Sequence, residues 1–162
     1  CTRARIQAGF HAIGDAAVAR VVDAFAAAVD DFGGPRVTSC GHRIEHAEMV
    51  TPDQAAKLGD WGVHASMQPR FDDLWGGSDG MYSRRLGTER AATLNDFALL
   101  AKNAVPLAFS SDSPVTPLDP WATLRAAVHH RTPGSAVSPP RCSPPAPARP
   151  RHRRTAPRAR CA

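Results

Sequence analysis

His11, His46 and Asp112 are the side chains whose types and spacing can do chemistry. Each closes a short apolar run and opens a turn marked by Gly, Ala or Pro. The runs are Ile-Gln-Ala-Gly-Phe-His at 6–11, Arg-Ile-Glu-His at 43–46 and Pro-Leu-Ala-Phe-Ser-Ser-Asp at 106–112. Imidazoles and a carboxylate at the carboxyl ends of successive parallel strands converge on one face of a sheet or barrel, where α/β proteins place their sites. The set also has the composition of a catalytic metal site, in which three protein ligands leave a position open for water. Zinc is the first candidate ion. Two His and one carboxylate suit non-haem iron as well, although placing the ligands after three separate strands argues against it. Taken singly, each residue has a plainer explanation: a hydrogen-bonded His, a His beside an ion pair, a turn before Pro. The joint placement is what those explanations leave out.

The elements that must hold these residues follow from periodicity. From 2 to 131 short apolar runs alternate with helical patterns, which is the signature of repeated βα units and a parallel sheet. A strand near 5–10 precedes a helix over 14–31, where Val18, Val21, Val22, Phe25 and Val29 recur at helical spacing and Asp15 is the expected N-cap. Gly33-Gly34-Pro35 ends that helix. A second strand at 41–46 places Arg43 and Glu45 on one face and His46 on the other. Thr51, Pro52 and Gln54 then form a capping box for a helix over 52–59. The third strand is predicted at 62–67, followed by an irregular stretch from 68 to about 90. Loops of that length inside a domain are more often functional than idle. A helix over 95–103 capped by Asn95, a strand at 106–110 and a helix over 120–131 complete the series. The last helix is expected to show Trp121, Leu124, Ala127 and Val128 on its apolar face.

Composition divides the chain in two. Of 162 residues carrying a net charge of +5, all the acidic ones precede residue 132, whereas 132–162 holds seven Arg and eight Pro. A segment with so few apolar residues cannot offset the entropy of ordering, so 132–162 reads as a disordered tail beside a 1–131 domain. Alternating Pro, Arg and Ala in an Arg-rich, Lys-poor chain also fits a shifted reading frame near 138–141. The Arg-rich tail offers a second function of another class, non-specific nucleic-acid binding by phosphate contacts, though it lacks aromatic or helical interleaving. The four Cys form no C-x-x-C pair, and Cys40 reads as a small buried residue. Neither a leader pattern nor a long apolar run is present, which makes the cytoplasm the default expectation and membrane contact unexpected.

Four motifs together resemble the amidohydrolase superfamily, in particular the amidohydrolase family 3 branch that includes N-substituted formamide deformylase-like enzymes. They are His-Ala-Ile-Gly-Asp (11–15), His-Arg-Ile-Glu-His-Ala (42–47), Ala-Ser-Met-Gln-Pro (65–69) and Ala-Phe-Ser-Ser-Asp-Ser-Pro-Val-Thr-Pro-Leu-Asp-Pro-Trp (108–121). The resemblance spans about 3–138 and implies a partial TIM-type (β/α) barrel of about four βα units, matching strands 5 to 8. It implies that His11 is the metal ligand after the fifth strand and His46 the ligand after the sixth. Asp112 is then the carboxylate after the eighth strand, which ligates metal and takes a proton from the attacking water. His42 and Arg43 are candidate substrate or outer-sphere contacts, and Phe71, Trp75, Met81 and Tyr82 candidate pocket walls.

The implied activity is hydrolysis of a non-peptide carbon–nitrogen bond in a small-molecule amide or formamide, with a divalent metal, zinc first. The family's His-x-His pair after the first strand and its fourth-strand ligand have no counterpart here. The chain is therefore read as a fragment, inactive or weakly active alone. Exposed barrel edges are then expected to favour self-association, and an inactive remnant is the alternative.

Overall fold

The computed structural model describes residues 1–132. Four short strands, β1 (Gly9–Ala12), β2 (Arg43–His46), β3 (His64–Met67) and β4 (Leu107–Phe109), form one parallel sheet in the order β1-β2-β3-β4. Parallel neighbours need a crossover between them, and each crossover here is helical. The first is α1 (Asp15–Phe32) with α2 (Gly34–Thr38), and the second is α3 (Pro52–Asp60). The third comprises α4 (Pro69–Trp75), α5 (Met81–Leu86), α6 (Thr88–Ala91) and α7 (Phe97–Lys102); α8 (Pro120–Val128) follows β4. The result is a partial β/α barrel, as the alternation of runs predicts.

The two faces of the sheet differ in chemistry because side chains alternate along a strand. Ala12, Ile44, Ala65 and Met67 point toward the helices and join Val18, Val22, Phe25, Leu58, Phe97 and Leu100 in one core. Ile44 is fully buried there, and such burial stabilises by about 1.5–3 kcal/mol per large aliphatic side chain. The opposite face carries polar residues in register, with His11 opposite Glu45, Glu45 opposite Ser66, and Arg43 between Gly9 and His64. Gly9 lacks a side chain where Arg43 lies across it; a Cβ there would stand 3.3 Å from the guanidinium Nε.

Several predicted boundaries hold. Thr51 Oγ1 accepts from Gln54 N–H while Gln54 Oε1 accepts from Thr51 N–H, completing the capping box of α3. Gly59 inside α3 is required by packing, since a Cβ would fall 1.9 Å from the Asn103 carbonyl oxygen at the end of α7.

Other expectations need correction. The 68–90 stretch is not irregular but contains α4, α5 and most of α6, each shorter than the length over which helical periodicity can be recognised. Gly76, Gly80 and Gly87 punctuate them, and Tyr82, Ala91 and Leu94 form a small core of their own. β1 begins later than predicted because Thr2–Ala4 is a 3₁₀ turn closed by Arg5 in the left-handed region. Gly14, not Asp15, is the N-cap of α1, and Asp15 is its first residue.

Helix α7 is capped by Asp96, whose side chain accepts from Leu99 N–H. Asn95 is instead a buried left-handed residue whose N–H donates to the Glu48 carbonyl. Helix α8 buries Ala122, Thr123, Ala126 and Ala127, leaving Trp121 75% and Leu124 51% exposed. Its small-residue face lies against α4, so close approach rather than side-chain size decides which stripe is inward. Cys40 is half-buried, with its thiol 3.3 Å from the Arg36 carbonyl. Thr132, assigned above to the tail, is buried against α4. The rest of the tail, with its expected disorder and frame shift, lies outside the described residues. No described helix is long and apolar enough to cross a membrane.

Candidate metal centre

The parallel register of β1 and β2 brings two of the three candidate ligands together. His11 is the third residue of β1 and His46 the last of β2, and the register sets Ala12 opposite His46. The His46 backbone turns left-handed, φ 75°, and Ala47 follows at φ 49°. His46 thereby leaves the strand, and its ring meets that of His11 edge to face with centroids 4.4 Å apart. His11 is exposed, whereas His46 is 5% exposed.

Asp112 lies three residues beyond β4, in the left-handed region at φ 51°, and its carbonyl accepts from Val115 N–H to close a turn. Its carboxylate is exposed and makes no side-chain hydrogen bond or ion pair among the described residues. It does not join the imidazoles: among the described residues no three His, Cys, Asp or Glu side chains are close enough together to hold a metal ion. The donor chemistry of the pair nonetheless fits a divalent cation, because two imidazoles side by side offer two nitrogen ligands. An open cavity of about 490 Å³ lies at the β4 exit, lined by Phe109, Ser110, Ser111 and Leu118 rather than by the imidazoles.

His46 is held from the side by Gln68, whose Oε1 is 2.8 Å from Nδ1. The Gln68 amide nitrogen donates to the Ser66 carbonyl at 3.2 Å and to Ser110 Oγ at 3.0 Å. One side chain thus links the ends of β2, β3 and β4. Phe71 of α4 stacks nearly parallel to His46, with centroids 6.0 Å apart. Trp75 and Tyr82 continue this aromatic series behind it. Phe71 and Tyr82 are buried, so they brace His46 and the α4–α6 layer, while Met81 is exposed.

Glu48, two residues after His46, is 2% exposed. Burial pushes its carboxyl up, against the influence of the nearby Tyr82 hydroxyl, Asn95 amide and His11. Burial and the Glu48 carboxylate push the Tyr82 hydroxyl up in turn. Neither Gln68 nor Glu48 stands out in the sequence as a site residue. The only signal for Gln68 was its place in the Met-Gln-Pro motif, and Glu48 carries none.

The two remaining candidates are bound up with the fold. His42 is 1% exposed, with Nε2 2.9 Å from Thr2 Oγ1 and Nδ1 accepting from Ala8 N–H at 2.9 Å. Both ring nitrogens are therefore occupied in holding the amino-terminal turn against β2. Arg43 pairs with Glu45 at 2.5 Å and donates to Gln7 Oε1 at 3.0 Å, one layer below His11 and His46. Burial raises the Glu45 carboxyl, but hydrogen bonds from Ser66 and Arg43 and the Arg43 charge outweigh it, holding the group below its ordinary value.

Burial, helped by the amino-terminal charge, holds His42 below its ordinary value of 6.5. Burial does the same to His130 against the pull of Asp72. A base with a lowered folded value binds fewer protons folded than unfolded, so its contribution to stability is full above about pH 6.5 and is lost as pH falls. The urea midpoint is expected to drop between pH 7.5 and 5.5. His42→Gln should lower the midpoint at pH 7.5 but flatten this drop, and an equally steep drop in the variant would remove His42 from the explanation.

The profile of the amidohydrolase family matches residues 1–158. The chain belongs to the amidohydrolase family. Among curated proteins, this amidohydrolase chain is 36% identical over 125 residues to Protein LONG AFTER FAR-RED 3 of Arabidopsis thaliana, covering 76% of the chain and 20% of that protein. Among solved structures it resembles an uncharacterized metal-dependent hydrolase from Pyrococcus furiosus, with TM-score 0.66, 37% identity, and coverage of 82% of this chain and 25% of that one. An uncharacterized metal-dependent hydrolase from Pyrococcus horikoshii OT3 gives TM-score 0.61 and 36% identity, with coverage of 80% and 24%. The chain thus spans a fifth to a quarter of the length of these relatives.

Proposed function

We propose that the chain carries part of a metal-dependent hydrolase centre that cleaves a carbon–nitrogen bond in a non-peptide amide or formamide. The observation that carries this reading is the His11–His46 pair at the carboxyl ends of adjacent parallel strands, with His46 oriented by a buried hydrogen bond. Family membership and the two metal-dependent neighbours support it. His11 and His46 would hold a divalent ion, zinc being the best match to paired imidazoles. Such an ion supplies Lewis acidity toward a carbonyl and brings the pKa of water to about 7.

The chain's own residues do the rest. Gln68 and Phe71 keep the His46 ring in place, and Glu48 is a buried acid near His11. Asp112 stands exposed at the β4 exit, where its carboxylate can accept a proton from water and return it to a leaving amine. A contact from Arg43 to substrate requires it to leave Glu45 and Gln7. Because the chain spans a quarter or less of its relatives, metal binding rather than turnover is the decisive test. Zn²⁺ titrated into the metal-stripped 162-residue chain is expected to bind stoichiometrically. His11→Ala and His46→Ala should each weaken it beyond the roughly 10–100-fold typical of outer-sphere changes, and Asp112→Ala by less. Wild-type affinity no greater than that of the doubly substituted chain rules the centre out.

A further inference from the structure

We infer that Gln68 is a positioning residue that fixes His46 as its Nδ1–H tautomer and so presents the Nε2 lone pair. The assignment follows from what each atom can do. The Ser66 carbonyl can only accept, so the Gln68 group 3.2 Å from it is the amide NH₂, which also reaches Ser110 Oγ at 3.0 Å. The Gln68 oxygen therefore faces His46, 2.8 Å from Nδ1. An amide oxygen only accepts, so Nδ1 carries the hydrogen, and in a neutral imidazole the lone pair is then on Nε2.

Burial makes this choice binding. Gln68 is 2% exposed and His46 5%, so an unmade bond between them would leave two buried polar atoms unpaired, at about 1–3 kcal/mol each. The local sequence points the same way. Gln68 occupies the N-cap of α4 yet makes no side-chain cap bond, and Gln is not among the favoured N-cap residues. Its side chain turns inward to His46 instead. Through Ser110 the same amide reaches the segment that leads, two residues on, to Asp112. Neither Gln68 nor Ser110 needs to touch an ion to act in this way. That the Nε2 lone pair serves as a metal ligand rests on the function proposed above, whereas the tautomer does not.

The test uses the full chain labelled with ¹⁵N-histidine, metal-free, at about pH 8. Long-range ¹H–¹⁵N correlations, with His46→Ala for assignment, report which ring nitrogen carries hydrogen. His46 is expected to show a protonated Nδ1 and a bare Nε2. Gln68→Ala should move it toward the Nε2–H form, and Gln68→Glu, whose carboxylate still accepts, should preserve the wild-type pattern. Zn²⁺ affinity should fall about 10–100-fold in Gln68→Ala and by less in Gln68→Glu. A wild-type Nε2–H pattern, or a pattern untouched by Gln68→Ala, overturns the inference. If Gln68→Ala fails to fold, the wild-type and Gln68→Glu spectra decide it. Zinc binding with an Nε2–H pattern sinks the tautomer alone, while an Nδ1–H pattern without zinc binding sinks the metal reading alone.

Discussion

Asp72→Ala is expected to lower the free energy of unfolding by about 2–4 kcal/mol, the scale of removing one buried acceptor from several hydrogen-bond donors at about 1–3 kcal/mol each. Asp72 lies in α4 with none of its surface exposed. Its carboxylate accepts from the backbone N–H of Arg131 and, at 3.3 Å, of Thr132, and from Thr132 Oγ1 at 2.6 Å. His130 Nε2 stands 3.3 Å away. One carboxylate therefore fastens the segment after α8 onto the helix that also braces His46. Space for it exists because Gly76 has no side chain: a Cβ there would come within 2.2 Å of Asp72 Oδ1. Alanine would remove every acceptor and leave the donors buried, each at about 1–3 kcal/mol. Asp72→Asn keeps the shape and one acceptor, and should recover part of the loss. Urea unfolding monitored by tryptophan fluorescence measures both, and a loss below about 1 kcal/mol in Asp72→Ala would show that the segment is held by other contacts.

Phe97→Ala is expected to cost a similar amount, about 3–5 kcal/mol, through a different mechanism. Phe97 opens α7 and is fully buried, with its ring 5.2 Å from that of Phe109 in β4 and 4.6 Å from that of His130. Truncation removes the transfer free energy of a benzyl group and leaves a cavity that rigid neighbours on the sheet and α8 sides can only partly fill. The effect reaches the site because β4 leads directly into Ser110 and Asp112. Ser110 N–H donates to the Met67 carbonyl at 2.9 Å, so faster hydrogen exchange at this amide should accompany the lost stability. Global loss with unchanged relative protection at Ser110 would mean that Phe97 supports the core without positioning the β4 exit.

These two residues show where legibility ended. Phe97 belongs to an apolar run whose helical character is readable, and its burial follows from that. Asp72 sits in a segment that reads as irregular, because α4 to α6 run only seven, six and four residues. Less than two turns of helix shows no period, and only packing of Phe71, Tyr82 and Leu94 makes such short helices persist. Helix α8 was readable as a helix but not as to its buried stripe, since contact with α4 selects Ala122 and Ala126 over Trp121 and Leu124.

By itself the sequence determined the alternation of strands and helices, the cap at Thr51, the pairing of Arg43 with Glu45 on one strand face, and the family. All of these depend on residue type and on neighbours within a few positions, or on short motifs in order. Tertiary structure alone decided that His11 and His46 stand ring to ring while Asp112 stands apart. It also decided that His42 is occupied by Thr2 and Ala8, and that a glutamine without any assigned role orients His46. Strand register, a left-handed turn and burial bring together atoms 22 to 42 positions apart along the chain, and no local pattern encodes which of them will meet.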